Sequence, residues 1–120
     1  MKIIHVDMNK FALQAMREEL PRIAPGAELC SFDHPGPALA FAEARGCDVL
    51  LTEIEFWKDP HGGVRLARAM KEINPRFNII FVTVYSESEI ARELSGLPVS
   101  GFFPKPWATE KLAAAFQNLR

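Results

Sequence analysis

Apolar positions along this chain follow two rhythms. Short runs, apolar on nearly successive residues, fall at 3–6, 28–32, 49–54, 78–83 and 99–103; between them apolar residues recur every three or four positions. The first rhythm predicts strands and the second predicts amphipathic helices. Val49-Leu50-Leu51-Thr52-Glu53-Ile54 and Asn78-Ile79-Ile80-Phe81-Val82-Thr83 are apolar on both alternations, as central strands covered on both faces must be. A first helix carries Phe11, Leu13, Met16 and Leu20 up to Pro21, and a second opens at Pro35 or Pro37, carries Leu39 and Ala42, and closes at Gly46. A third follows Gly62-Gly63 with Val64, Ala67, Met70 and Ile73; a fourth spans 86–94 behind Ser86 as its N-cap; the last carries Leu112, Ala115, Phe116 and Leu119. Asn74-Pro75 and the stretch 96–98 place breakers at the joints. Strand and helix alternating five times predict a single α/β domain over 1–120, a doubly wound parallel sheet with helices packed against it.

Composition agrees with this and narrows the partner. With 120 residues, 48% hydrophobic and 24% charged, the chain has the makings of one globular core. A formal net charge of −1 gives no electrostatic footprint for nucleic acid or an anionic membrane, so the expected partner is protein. No apolar stretch approaches the ~20 residues of a membrane span, and the expected compartment is the cytoplasm. Cys30 and Cys47 lie beside apolar residues without metal-ligand spacing, which predicts buried, reduced thiols. His5, His34 and His61 are scattered and predict no transition-metal site: His5 reads as structural and His61 as a loop residue.

Open parallel sheets do their chemistry at the carboxyl ends of their strands. Here those ends deliver Asp7, Glu53, Thr83 and Lys105, two carboxylates, a hydroxyl and an ammonium group on one rim.

On these residues the chain resembles the receiver domain of two-component response regulators, the CheY-like fold, over essentially its whole length. Ile4-His5-Val6-Asp7-Met8-Asn9 is similar to the first strand and acidic turn, and Asp48-Val49-Leu50-Leu51-Thr52-Glu53-Ile54 to the strand bearing the phosphoacceptor. Ile79-Ile80-Phe81-Val82-Thr83 ends on the family's hydroxyl residue, and Gly101-Phe102-Phe103-Pro104-Lys105-Pro106 resembles its Lys-Pro strand ending. Ile73-Asn74-Pro75 and the run from Val82 to Glu87 are most similar to receivers preceding LytTR-type DNA-binding domains. The resemblance implies a flavodoxin-like (βα)5 sheet of strand order 2-1-3-4-5 and a role in phosphorelay signalling rather than an enzyme's. A flavodoxin-like cofactor carrier would need a phosphate cradle after the first strand; Asp7-Met8-Asn9-Lys10-Phe11 offers none.

The chain departs from the family at two chemical positions. Glu53 stands at the acceptor aspartate, and Met8 replaces the second acid beside Asp7. A thioether is a poor donor for Mg²⁺, and the extra methylene of Glu53 displaces its carboxylate by roughly an ångström, enough to spoil in-line attack. The implied cofactor is therefore none, with at most weak Mg²⁺ held by Asp7, Glu53 and the Glu55 backbone carbonyl. Glu53 reads as the phosphoacceptor equivalent, and Asp7, Met8 and Glu55 as the acidic pocket, Glu55 with its own side chain in solvent. Thr83, Phe102 and Lys105 form the readout side. Glu53 either only neutralises Lys105 or imitates the modified aspartate; both readings stay open. For Thr83 a local backbone bond is the plainer expectation, for Phe102 core packing, and for Lys105 an ion pair. Trp57 and Trp107 read as partner anchors or as a lid, and the loop 55–63 as remodelled.

Together these features predict a phosphorylation-independent receiver acting as a protein-interaction module. Its partners by resemblance are a sensor kinase or effector, or a second copy bound through the fourth helix, fifth strand and fifth helix with Glu87, Glu89, Arg92, Trp107 and Lys111. The alternative is an Mg²⁺-dependent phosphoacceptor using Glu53 or a nearby acid, Glu55 or Asp59. Many relatives continue past the fifth helix into an effector domain, to which any DNA-binding role would belong.

Overall fold

The computed structural model describes residues 1–119. In chain order the elements are β1 (Lys2–Val6), α1 (Lys10–Ile23), β2 (Glu28–Phe32), α2 (Pro35–Arg45), β3 (Val49–Thr52), α3 (Gly62–Ile73), β4 (Asn78–Thr83), a single 3-10 turn at Ser88–Ile90, β5 (Gly101–Pro104) and α4 (Thr109–Gln117). The five strands pair in the order β2-β1-β3-β4-β5, every pair parallel, as the resemblance implied.

The two-residue period of a strand sends alternate side chains to opposite faces, and both faces here are apolar. On one, Ile3, Val49, Leu51, Ile80 and Val82 meet Met16, Leu20 and Ile23 of α1 and Leu112 and Phe116 of α4. On the other, Ile4, Val6, Leu50, Ile79 and Phe81 meet Ala38 and Ala42 of α2 and Val64, Ala67 and Met70 of α3. All four residues of β3 are buried. Burying a side chain such as Leu50 or Ile79 contributes about 1.5–3 kcal/mol each, so this two-sided core holds the strand ends, and the groups they carry, in place.

Two local devices aim the chain at the carboxyl edge. The Asn9 side chain, two residues after Asp7, accepts the N–H groups of Phe11 (2.9 Å) and Ala12 (3.3 Å) and so caps the start of α1 at Lys10. Gly63 lets α3 approach the end of β3: a Cβ there would sit 1.9 Å from the Glu53 carbonyl oxygen, and its N–H donates to the Ile54 carbonyl at 2.8 Å. Only glycine permits this approach.

Differences from expectation have identifiable causes. The first helix runs through Pro21 to Ile23, because Pro21 lies on its exposed side and the carbonyl that loses a partner, that of exposed Arg17, faces water. β3 stops at Thr52 and β5 starts at Gly101, each about two residues short of its apolar run.

The expected fourth helix is the substantive correction. Ser86 does form a reciprocal capping box with Glu89, the Ser86 hydroxyl accepting the Glu89 N–H (3.3 Å) and the Glu89 carboxylate the Ser86 N–H (2.7 Å). Beyond the turn at Ser88–Ile90, however, the chain continues as turns to Gly96, whose φ is 77°. Arg68 of α3 donates to the carbonyls of Glu93 (2.6 Å) and Ser95 (2.8 Å), satisfying acceptors that a longer helix would leave for its own next turn. Replacing Arg68 with alanine should speed amide exchange at Ser95 and Leu97 about tenfold, as expected on losing charge-assisted bonds at an exposed site. β3 and β4 should keep their exchange rates; a uniform change across the domain would refute this local role.

Candidate functional site

The sheet places its chemistry beside β1, the point where strand order reverses. Asp7 follows β1, Glu53 follows β3, Thr83 ends β4 and Lys105 follows β5. Backbone bonds fix the three charged residues: the Asp7 N–H donates to the Phe32 carbonyl (3.1 Å), Glu53 to Val6 (3.0 Å) and Lys105 to Thr83 (2.9 Å).

Lys105 is the centre of the site. Its Nζ lies 2.5 Å from Asp7 Oδ2 and 3.0 Å from Glu53 Oε1, so one ammonium bridges two carboxylates. Asp7 is 1% exposed and Glu53 6%. The remaining oxygens are also engaged: Asp7 Oδ1 accepts the Asn9 N–H (2.9 Å) and Glu53 Oε2 the Ile54 N–H (2.6 Å). Burial pushes the Asp7 carboxyl above its ordinary range, although Lys105 and the Asn9 N–H pull the other way. Burial likewise opposes the charge on Lys105, but the hydrogen bonds and fields of Asp7 and then Glu53 outweigh it and hold the ammonium above its usual value.

Thr83 is not joined to this cluster. Its hydroxyl accepts the Tyr85 N–H at 3.2 Å, and no bond links it to Glu53 among the described residues. Phe102 is half-buried and tilted against Phe81, ring centroids 6.1 Å apart, a core contact. Glu55 differs from expectation: its carboxylate accepts the Tyr85 hydroxyl at 3.2 Å and is partly buried, because Tyr85 reaches across from the end of β4.

The remodelled loop closes the outer side. Phe56 and Asp59 exchange two backbone bonds (2.9 and 2.7 Å), forming a tight turn with Trp57 at its tip, where φ is 43°. Trp57 is 52% exposed, its ring stacks on His34 with centroids 4.1 Å apart, and its backbone N–H donates to the Met8 sulfur at 3.2 Å. Trp107 is neither anchor nor lid: it is partly buried against the α1–α4 core, its indole N–H bonded to Glu19 at 3.0 Å. His61 Nε2 lies 3.7 Å from a Glu93 carboxylate oxygen. Cys30 and Cys47 are both free and partly buried.

These donors do not fit Mg²⁺. A hard cation of octahedral preference needs several free oxygens; the four carboxylate oxygens of Asp7 and Glu53 already accept hydrogen bonds, and the neighbouring position offers a thioether. Among the described residues no group of three or more His, Cys, Asp or Glu side chains is arranged to hold a metal ion.

Sequence reasoning missed Glu19, Arg68 and the Tyr85–Glu55 bond. Each joins residues far apart in sequence through an exposed helix face or a loop, and none carries a local motif.

The comparisons agree with this architecture. The sensor kinase CckA from Brucella abortus (strain 2308) is 29% identical over 82 residues, 68% of this chain and 9% of that protein, so the chain spans about a tenth of that relative's length. A receiver domain protein from Clostridium thermocellum superposes with a TM-score of 0.82 at 23% identity, covering 98% of this chain and 92% of that one. For the chemotaxis protein CheY4 of Vibrio cholerae the values are 0.84 and 21%, with 99% and 98% covered; for the response regulatory domain of mrkE from Klebsiella pneumoniae they are 0.84 and 24%, with 99% and 94% covered. The sequence pattern of the response regulator receiver domain matches residues 3–117, and the chain belongs to that family.

Proposed function

We propose that this receiver domain works without aspartyl phosphorylation, as a cytoplasmic protein-interaction module whose single state is set by its own ion pair. The observation that carries this reading is the Lys105 ammonium seated between Asp7 and Glu53, with a methionine where a second acid would draw in a metal. A nucleophile must be free and aligned with its phosphoryl donor. Glu53 is neither free nor of the right length.

The same geometry favours an inert tie over an imitation of the phosphorylated state. An imitator should draw in the hydroxyl of Thr83; Glu53 instead turns its second oxygen back to the Ile54 N–H, and Thr83 bonds to Tyr85. Its partner in this reading is a sensor kinase, an effector or a second copy, meeting β5, α4 and the exposed turn residues Glu87, Glu89 and Arg92. That face lacks the expected helix, and its Trp107 is already engaged by Glu19.

Intact mass after incubation with Mg²⁺ and acetyl phosphate tests the proposal. The parent should gain no phosphoryl adduct, while Glu53→Asp/Met8→Asp, which restores both acids, should gain one. An adduct on the parent would overturn the reading, and peptide mapping would then assign the acceptor among Glu53, Glu55 and Asp59.

A further inference from the structure

The loop between β5 and α4 must hold Lys105 so that one ammonium meets two buried acids. On its β4 side the Lys105 N–H is fixed to the Thr83 carbonyl at 2.9 Å. Beyond Lys105 come Pro106, Trp107 and Ala108, and the α4 N-cap, Ala108, has no side chain to secure the first turn. The support comes from another helix. Glu19, in the third turn of α1, accepts the Trp107 indole N–H at 3.0 Å and also the Thr109 hydroxyl, both on Oε1.

We infer that Glu19 is the positioning residue for Lys105: it clamps Trp107 and Thr109 and so fixes the backbone from which Lys105 reaches Asp7 and Glu53. A charged acceptor makes the stronger hydrogen bond, and a carboxylate beside the first turn of α4 also suits the positive end of that helix. Trp107 supplies the rigid arm, its ring packed against the α1–α4 core and its polar edge on Glu19, two residues from Lys105. The Arg22–Glu110 pair at 3.2 Å crosses the same helices, but both side chains are largely exposed, where ion pairs contribute little. The inference concerns how Lys105 is held and stands whether or not Glu53 can be phosphorylated.

The test uses the full chain in a Trp57→Phe background, which leaves Trp107 as the sole tryptophan of the two. Acrylamide quenching then reports on the clamp, and acetylation by a water-soluble amine reagent, mapped by mass spectrometry, reports on Lys105, with exposed Lys111 as internal reference. Glu19→Ala should increase Trp107 quenching and raise Lys105 acetylation relative to Lys111 about tenfold, the expected scale for losing a bond to a charged group. Glu19→Gln, which keeps an acceptor for both bonds but loses the charge, should fall between the parent and Glu19→Ala. Quenching that rises while Lys105 reactivity does not would overturn the inference, because Glu19 would then hold Trp107 alone; so would a glutamine variant as reactive at Lys105 as the alanine one. If Glu19→Ala does not fold, Trp107→Phe keeps the ring, removes the N–H and is read by Lys105 acetylation, unchanged reactivity again overturning the inference.

Discussion

Replacing Lys105 with methionine should cost about 3–5 kcal/mol of folding stability at neutral pH, the usual consequence of removing one member of a buried charge cluster. The side chains of Asp7 and Glu53 are only 2% and 7% exposed and that of Lys105 17%, so water cannot replace the lost ammonium. Two carboxylates would face each other across the space it filled. Asp7, whose carboxyl burial already raises, would then lose the ammonium that opposes this and bind its proton more readily in the folded than in the unfolded chain, and a state that binds more protons gains stability as pH falls. The deficit of the variant against the parent should therefore shrink below about pH 5. A second change, Glu53→Gln, should recover part of the loss at neutral pH by leaving one carboxylate instead of two. Urea unfolding of the parent and both variants at neutral and acid pH measures this. A Lys105→Met chain as stable as the parent at neutral pH would mean that the ammonium is not the counter-ion of the pocket, and the proposed fixed state would lose its support.

The ion pair also explains why the two family departures belong together. Receivers that bind Mg²⁺ keep several acidic oxygens available to it; here Met8 supplies none, and the negative charge of Asp7 and Glu53 is met by a cation belonging to the chain. Lengthening the side chain at position 53 lets its carboxylate reach both Lys105 and the Ile54 N–H. The Met8 sulfur meanwhile serves the Trp57 N–H, tying the first and third loops directly. Met8 and Glu53 thus make one consistent local structure, the opposite of what independent loss at two positions would leave.

The sheet was legible because its residues obey local rules. Val49 to Thr52 are apolar or small on both alternations and end up buried on both faces, and Asp7, Glu53 and Lys105 come together because parallel strands deliver their carboxyl ends to one edge. The Lys105–Glu53 ion pair and the core position of Phe102 were readable for the same reason. What the sequence did not reveal depends on competition between local and distant partners. Residues 86–94 carry a capping signal that does form, yet the carbonyls of Glu93 and Ser95 find Arg68 on α3, and no periodicity reports a guanidinium some 25 positions away. Trp107 reads as a surface aromatic until Glu19, 88 positions earlier, is known to hold its N–H. Glu55 reads as solvated until Tyr85 is seen to cross the gap between β3 and β4.

His5 should govern the acid limb of stability. It sits in the middle of β1, 1% exposed, on the α1–α4 side with Ile3, and its Nδ1 has no hydrogen-bond partner among the described residues, as is also true of the hydroxyl of Ser31, its partner in the β1–β2 register. Burial first, then the positive fields of Lys105 and Arg17, lower its pKa from 6.5 to about 3. The imidazole is neutral in the folded chain while the unfolded chain protonates it from about pH 6.5 downward. Between those two values the unfolded state binds more protons, so the stability that His5 contributes is full above the unfolded pKa and drains away as pH falls toward the folded one. One proton gives a slope of at most about 1.4 kcal/mol per pH unit, hence at most roughly 5 kcal/mol across the window. Asp7, whose carboxyl is raised by burial, acts in the opposite sense above its unfolded pKa and flattens the parent's curve, so the informative quantity is a difference. His5→Leu removes the imidazole and fills the site with an apolar side chain beside Ile3 and Leu51. Urea unfolding from neutral pH to about pH 4 should show the leucine variant gaining on the parent with each step down, by roughly 3 kcal/mol at the acid end. Parallel curves for the two chains would show that His5 titrates alike in the folded and unfolded states, and His5 would then not set the acid limb.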